Sequence, residues 1–312
     1  VDGEILDFDP NRVLLLAQVN GTPTLKILDR GTRQEEVVMA DAGKIPRHGF
    51  LSPQGAVFVE QSTDVTSAVV YEYRGEQLYY LGPLDSTVSL MVRGSYALWN
   101  VGSTLVSRDL ISGTNMIITT TSGNWQNDVA ENGDIVFWSR SYEVFRYRQG
   151  VLTKIAGDSG FWHVYTLTDG SNVVYRRQTA CCTNVQYQIA VSDGISETLL
   201  TAMRQQEAIP GRDYQVSNGW VAFTELGTSG QTQVWTRSPS KVQSQVSIFG
   251  TSSTIDALGP QGEVIFLNNR RYIAMPPYGS EPISIGSSLG RVYWRAGLAY
   301  VVLGHTVFRV MP

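Results

Sequence analysis

An all-β fold made of repeated four-stranded sheets is what this 312-residue sequence predicts, and three observations carry the prediction. The composition suits strands and turns: charged residues are 17% against the roughly 25% of ordinary soluble domains, while Gly, Val, Ser, Thr and Tyr are plentiful and hydrophobic residues reach 42%. A turn followed by a short apolar strand recurs eight times, about 41 residues apart. No stretch holds the periodicity of a long helix. SETLLTAMRQQEA (196–208) is the one run of helix-favouring residues, and Pro210 and Gly211 end it; its first half reads as a strand and its second as a loop.

In chain order the eight copies are DPNRVLLL (9–16), SPQGAVF (52–58), RGSYALW (93–99), ENGDIVF (131–137), TDGSNVVY (168–175), SNGWVAF (217–223), PQGEVIF (260–266) and AGLAYVV (296–302). Short strands such as VSLMV, HVYTL, YQV, TIDAL and RVYW precede the turns. Alternating strands such as AVVYEYRG and EVFRYRQG follow, and then, in all but the last copy, a further apolar segment such as QLYYLG or LTKIAG. Four strands in each repeat, set radially, are the signature of a β-propeller. Sheets stacked face to face around an axis bury both faces, which is why VLLL and IVFW lack strict alternation.

The expected blades run 3–42, 43–85, 86–123, 124–160, 161–203, 204–251, 252–288 and 289–312. The last stops short of an outer strand, so either VDGE at the N-terminus supplies one or the blade has three. A seven-bladed ring with one copy misread is the alternative.

The turns S-P-Q-G, E-N-G-D and P-Q-G-E resemble those of TolB-type and related bacterial propeller repeats, where Ser-Pro-Asp-Gly introduces the second strand of each blade. Ser52, Pro53 and Gly55 match that pattern, with Gln54 in the place of Asp. The resemblance implies binding of a protein or a small ligand. The Ser-x-Asp-x-Gly-x-Thr-Trp box of sialidases and the Gly-His and Trp-Asp signatures of WD repeats are absent.

Composition excludes several classes. A net charge of −4 and a pI near 5.5 leave no clustered cations for nucleic acid. Three histidines and two adjacent cysteines offer no metal-ligand spacing, and no glycine-rich phosphate loop or nucleophile elbow is present; no cofactor and no metal are expected. No apolar run approaches the roughly 18 residues of a membrane span. The start at Val-Asp-Gly fits a processed protein or part of a larger chain, and the low Lys content with abundant Ser, Thr and Tyr leans towards a secreted, surface or periplasmic setting.

Chemistry on such a fold sits on or beside the first strands of the blades. The residues there are His48, Trp125, Asp128, Trp162, His163, Tyr165, Arg212, Asp213, Asp256, Tyr293 and Trp294. Trp125, Trp162 and Trp294 fall at equivalent places in three repeats; each either packs between blades or offers a face to a sugar ring. The ligand-binding candidates are accordingly Trp125, Asp128, Trp162, His163, Asp213 and Trp294. Were the chain a polysaccharide lyase or hydrolase, His163 would act as acid or base with Tyr165 and Arg212. Asp7 and Asp9 read as turn residues before Pro10, and the pairs Arg176-Arg177 and Arg270-Arg271 as solvated faces with one member outward.

Cys181 and Cys182 fall in the connection between two strands of the fifth repeat. Neighbouring Cα atoms lie about 3.8 Å apart, short of the ordinary disulfide span of about 4.4 to 6.8 Å, so a bond between them closes a strained ring. The pair reads either as such a vicinal disulfide at a loop tip or as reduced thiols. The leading functional expectation is a non-catalytic propeller that binds a carbohydrate or a protein through one rim; the alternatives are the polysaccharide lyase or hydrolase, and a structural spacer in a larger adhesion protein.

Overall fold

The computed structural model describes residues 3–40, 43–62, 68–84, 90–120, 127–180, 184–247, 250–274, 282–286, 290–295, 297–303 and 305–310. These hold 31 strands in eight consecutive antiparallel sheets, and no helix. The fold is all-β, an eight-bladed propeller. The chain divides into two compact units, one of Val1–Trp125 with Val302–Val307 and the other of Gln126–Val301 with Phe308–Pro312.

The first unit holds three sheets. The first is β1 (Glu4–Phe8), β2 (Arg12–Val19), β3 (Thr22–Asp29) and β4 (Glu35–Ala40); the second is β5 (Lys44–Ser52), β6 (Gly55–Ser62), β7 (Ala68–Arg74) and β8 (Gln77–Leu84). The third is β9 (Met91–Arg93), β10 (Tyr96–Val101), β11 (Thr104–Asp109) and β12 (Thr114–Thr119). In each, neighbours in sequence are neighbours in the sheet.

The second unit continues with β13 (Asp128–Val129), β14 (Ile135–Trp138), β15 (Val144–Arg148) and β16 (Val151–Ala156), then β17 (Phe161–Thr168), β18 (Val173–Thr179), β19 (Tyr187–Ser192) and β20 (Glu197–Leu199). The sixth sheet is β21 (Tyr214–Ser217), β22 (Trp220–Leu226), β23 (Thr232–Arg237) and β24 (Gln243–Gln245), and the seventh β25 (Thr254–Leu258), β26 (Val264–Asn268), β27 (Arg270–Ala274) and β28 (Ile283–Gly286). The eighth, β29 (Arg291–Arg295), β30 (Leu298–Leu303) and β31 (Thr306–Val310), has three strands among the described residues. Glu4–Phe8 pairs with β2 as the first strand of its own sheet, and Val1 and Asp2 of the N-terminal segment lie outside the described residues.

The second strand of each sheet explains the repeat. In β6 six consecutive residues are buried, and β10, β18 and β22 each bury four in a row. A strand covered on both faces gains nothing from polar alternation, so the sequence reads as an apolar run. The last position of the quoted repeats carries a ring in six copies: Phe58, Trp99, Phe137, Tyr175, Phe223 and Phe266, all among the largest fully buried side chains. Three of these rings stack on the residue opposite in the third strand, Phe58 on Tyr71, Phe137 on Phe145 and Phe266 on Tyr272, with centroids 5.6 to 5.8 Å apart.

Several of the turns that mark the repeats are joints between sheets. In the second unit Asp169 accepts from the Gly219 amide at 2.5 Å, the Asn172 side chain donates to Gly219 O at 3.0 Å, and Asn218 donates to Pro260 O at 2.9 Å. Gly262 closes its turn at φ 89°, and a Cβ there would come within 2.5 Å of the Trp220 ring, so only glycine fits. In the first unit Arg12 donates to Ser52 O at 2.8 Å, and Arg108 reaches Glu72 across the second and third sheets. Side chains on the first strands add further ties: Asp7 accepts from the Leu51 amide at 2.9 Å, and Asp128 from that of Thr168 at 2.8 Å. Asp7 is therefore a buried strand residue and not the turn residue expected; Asp9 does cap its turn, accepting from the Asn11 and Arg12 amides.

Candidate functional site

The fourth and fifth sheets have one end tied up by the joints just described. At the other end lie the start of β17, the β14–β15 hairpin, the connection 157–160 and the long irregular stretch 200–213. These positions carry the aromatic residues of β17 and its surroundings.

Trp162 stacks on Tyr142 with centroids 4.3 Å apart and planes 14° from parallel. Tyr142 in turn stacks on Trp138 at 5.9 Å and 10°, and Trp138 meets Tyr165 at 6.3 Å. All four are half-buried. Backbone geometry sets them there: Tyr142 turns the hairpin at φ 61° and accepts the His163 amide at 3.0 Å on its carbonyl, while Tyr165 sits at φ 58° in a bulge of β17. The Arg176 guanidinium lies over the Tyr165 ring at 4.1 Å and over Tyr187 at 5.1 Å, and is paired with Glu207. Three of the rings, Trp162, Tyr142 and Trp138, form a strip in which each lies within 14° of parallel to the next, and Tyr165 meets Trp138 at a tilt of 57°; rings packed on one another in this way have little rotamer freedom left to lose on binding.

On the other face of β17 from Trp162, carried by Phe161 and His163, is a charged cluster. His163, with 0% of its side chain exposed, has Nε2 2.8 Å from Asp158 Oδ1; the distance suits an ion pair, but the approach is off line for a hydrogen bond, and neither ring nitrogen has a hydrogen-bond partner. Arg177 donates through Nη2 to Asp158 Oδ2 at 2.6 Å and through Nη1 to Gln188 at 3.1 Å, and lies 3.4 Å from the centre of the Phe161 ring. Burial pushes the His163 imidazole below its ordinary pKa, offset only in part by the charges of Asp158 and Glu197. For Asp158, burial raises the carboxyl, but hydrogen bonds from Arg177 and its own backbone amide, with the charges of His163 and Arg177, outweigh it and bring the group down.

Arg176 and Arg177 were expected on a solvated face, and the structure corrects this: Arg176 is buried and the Arg177 side chain is only 14% exposed. Each finds a carboxylate and a ring on its own side of the sheet. In the other pair, Arg271 is buried and Arg270 exposed.

The remaining candidates fall in different settings. Asp128 is buried and bound to the Val129 and Thr168 amides. Asp213, 1% exposed, accepts from the Ile209 amide, from Arg212 and from the Thr224 hydroxyl, so its oxygens hold the turn before β21. Arg212 is spent on Asp213, and Asp256 accepts from Arg271 at 2.6 Å. Trp294 packs with Ala257 and Ile265, and a Cβ on Gly259 would come within 3.0 Å of its ring. Tyr293 lies under Arg295. His48 is exposed at a bulge of β5. Trp125, Cys181 and Cys182 lie outside the described residues. Of the proposed catalytic trio, His163 meets Asp158 and Tyr175, Tyr165 meets Trp138 and Arg176, and Arg212 meets Asp213.

Sequence reasoning missed Trp138, Tyr142, Asp158 and Tyr187. The available signal was positional: Trp138 and Tyr142 flank the hairpin between second and third strands, which in an antiparallel blade lies at the end where the next first strand begins. Among the described residues no group of three or more His, Cys, Asp or Glu side chains is placed to hold a metal, and no helix is long and apolar enough to cross a membrane.

No known family profile matches the chain, and no curated protein matches it in sequence. Among solved structures it is similar to dipeptidyl peptidase 4 of Porphyromonas gingivalis, with a TM-score of 0.66 and 10% identity over 99% of this chain and 58% of that one. It is also similar to the β-propeller domain of the Trilobed protease of Pyrococcus furiosus, with a TM-score of 0.47 and 10% identity over 98% and 96% of the two chains. TolB of Acinetobacter baumannii matches with a TM-score of 0.39 and 14% identity over 73% and 61%. At these identities the likeness is one of fold, and the chain spans little more than half of the first protein.

Proposed function

We propose that this is a non-catalytic binding propeller of a secreted, surface or periplasmic protein, and that the end of its fourth and fifth sheets bearing Trp162 and Tyr142 holds a carbohydrate. The observation that carries the reading is the half-buried stack Trp162–Tyr142–Trp138. Sugar rings present patches of C–H groups that pack on aromatic surfaces, while neighbouring polar groups take up the hydroxyls. Catalysis is not assigned, because His163 has no exposed side-chain surface and Arg212 is engaged by Asp213.

A glycan array, run beside a pull-down with the whole chain as bait, tests this. Retention on a defined group of glycans is the expected result. Capture of a protein with no glycan retained would transfer the strip to a protein partner, and capture of neither would overturn the binding role.

A further inference from the structure

The carboxylate of Asp158 occupies a cradle made of one cation and one imidazole. Its two oxygens face different groups, Oδ1 towards His163 Nε2 at 2.8 Å and Oδ2 towards Arg177 Nη2 at 2.6 Å. These two groups are the buried members of the cluster, with side chains 0% and 14% exposed, whereas the Asp158 side chain is 49% exposed. A surface carboxylate thus caps two groups that the fold has already taken out of water. The cradle also keeps unused capacity: Nδ1 and Nε2 of His163 and Nε of Arg177 are buried without a hydrogen-bond partner, an arrangement that costs free energy unless something else completes it. Phe161 supports the Arg177 guanidinium from below and Gln188 holds its Nη1, so the fork stays in place whether or not Asp158 is there.

Asp158 also stands between two glycines, Gly157 and Gly160. It lies in the four-residue connection Gly-Asp-Ser-Gly between β16 and β17, with Gly157 at φ 151° and Gly160 at φ 87°, both in the region that favours glycine. Gly160 O is held by the Ala180 amide at 3.0 Å, which anchors the far end of the connection and leaves Asp158 on its near side.

We infer that Asp158 is an internal stand-in for a ligand carboxylate, and that the cradle of Arg177 and His163 accepts the carboxylate of an acidic oligosaccharide, a uronate, when Asp158 swings out. The inference rests on the carbohydrate reading given above, since residues 161 to 163 place the Trp162 ring and the cradle at the same end of one strand. The end states match in charge: one carboxylate leaves and another takes its place, so the Arg177 guanidinium is paired before and after the exchange.

The test uses the whole chain and four probes, trigalacturonate and trimannuronate beside the matched neutral trimers of galactose and mannose, titrated calorimetrically. Wild type should bind at least one uronate trimer more tightly than its neutral match. Asp158→Ala, which removes the internal competitor, should tighten uronate binding roughly fivefold, the factor expected when an intramolecular ion pair of the exposed kind no longer has to be displaced, and leave neutral trimers unchanged. Arg177→Gln should abolish the preference. Asp158→Asn keeps the side-chain shape, so a thermal melt matching wild type there secures the result against misfolding of the alanine variant. With three histidines in the chain, the His163 ring protons can be assigned, and they should shift on adding the uronate trimer but not the neutral one. Unchanged or weakened uronate binding in Asp158→Ala overturns the stand-in role. Binding of neutral trimers with no uronate preference overturns the cradle and leaves the carbohydrate reading intact; binding of neither class overturns both.

Discussion

Replacing Arg108 by Met isolates the joint between the second and third sheets. Glu72 has no exposed surface, and Arg108 meets one of its oxygens through Nε at 2.7 Å and Nη2 at 2.6 Å while Nη1 donates to Gly113 O at 2.7 Å and to Asn115 at 2.9 Å. Removing one partner of a buried pair leaves an uncompensated charge, at a cost of about 3 to 5 kcal/mol. Arg74 stands 3.9 Å from the other oxygen of Glu72 and offers partial relief, so the expected loss is near the lower end, about 3 kcal/mol. Taking both partners away, as Glu72→Leu with Arg108→Met, removes the charge along with its cation and should restore stability to within about 1 kcal/mol of wild type. Urea unfolding measures the free energies, and hydrogen exchange at the amides of β7 and β11 localises the effect. A single variant that loses less than about 1 kcal/mol, or a double variant as unstable as the sum of the singles, would refute the reasoning.

Two further outcomes follow from the core and from titration. Phe137→Ala, at a ring that is 1% exposed and stacked on Phe145, should cost about 3 to 5 kcal/mol in urea unfolding, whereas Tyr80→Ala, at a residue with 63% exposure, should stay within about 0.5 kcal/mol. The Tyr73 hydroxyl donates to Glu36 at 2.6 Å, and burial with that hydrogen bond and the Glu36 and Glu76 charges raise its pKa to about 12. A raised folded value favours the neutral phenol, so this contribution to stability is whole below pH 10, the unfolded value, and is lost as pH rises through 12. In an ultraviolet titration, Tyr73→Phe should remove a tyrosinate transition above pH 11 and leave those nearer pH 10 untouched.

The fold was legible because its repeat is a burial signal. Positions such as Phe58, Trp99 and Phe137 are filled by large rings in six copies since these second strands are covered on both faces, and in the second unit Gly170, Asn218 and Gly262 in the turns ahead of three copies each meet a neighbouring sheet. The candidate site was legible only in part. Trp162 was found from its place in the repeat, but its partner Tyr142 belongs to a hairpin of the preceding sheet, and nothing in the spacing of 142 and 162 announces a stack. Arg176 and Arg177 misled for a related reason: period-two alternation puts neighbours on opposite faces, and in a propeller both faces are interior. Asp128 and Asp213 have the chemistry of binding residues, yet hold backbone amides, a use visible only once residues about 40 apart, such as Asp128 and Thr168, are seen side by side.

The central claim is that the ring strip on the fourth and fifth sheets is a binding surface. Its most direct test is the affinity of the glycan retained most strongly on the array, measured by calorimetry for wild type and for Trp162→Ala, with circular dichroism confirming that both remain all-β. Burial of one aromatic side chain is worth about 1.5 to 3 kcal/mol, so the account predicts a loss of roughly tenfold or more. Equal affinity in the two folded proteins would contradict it.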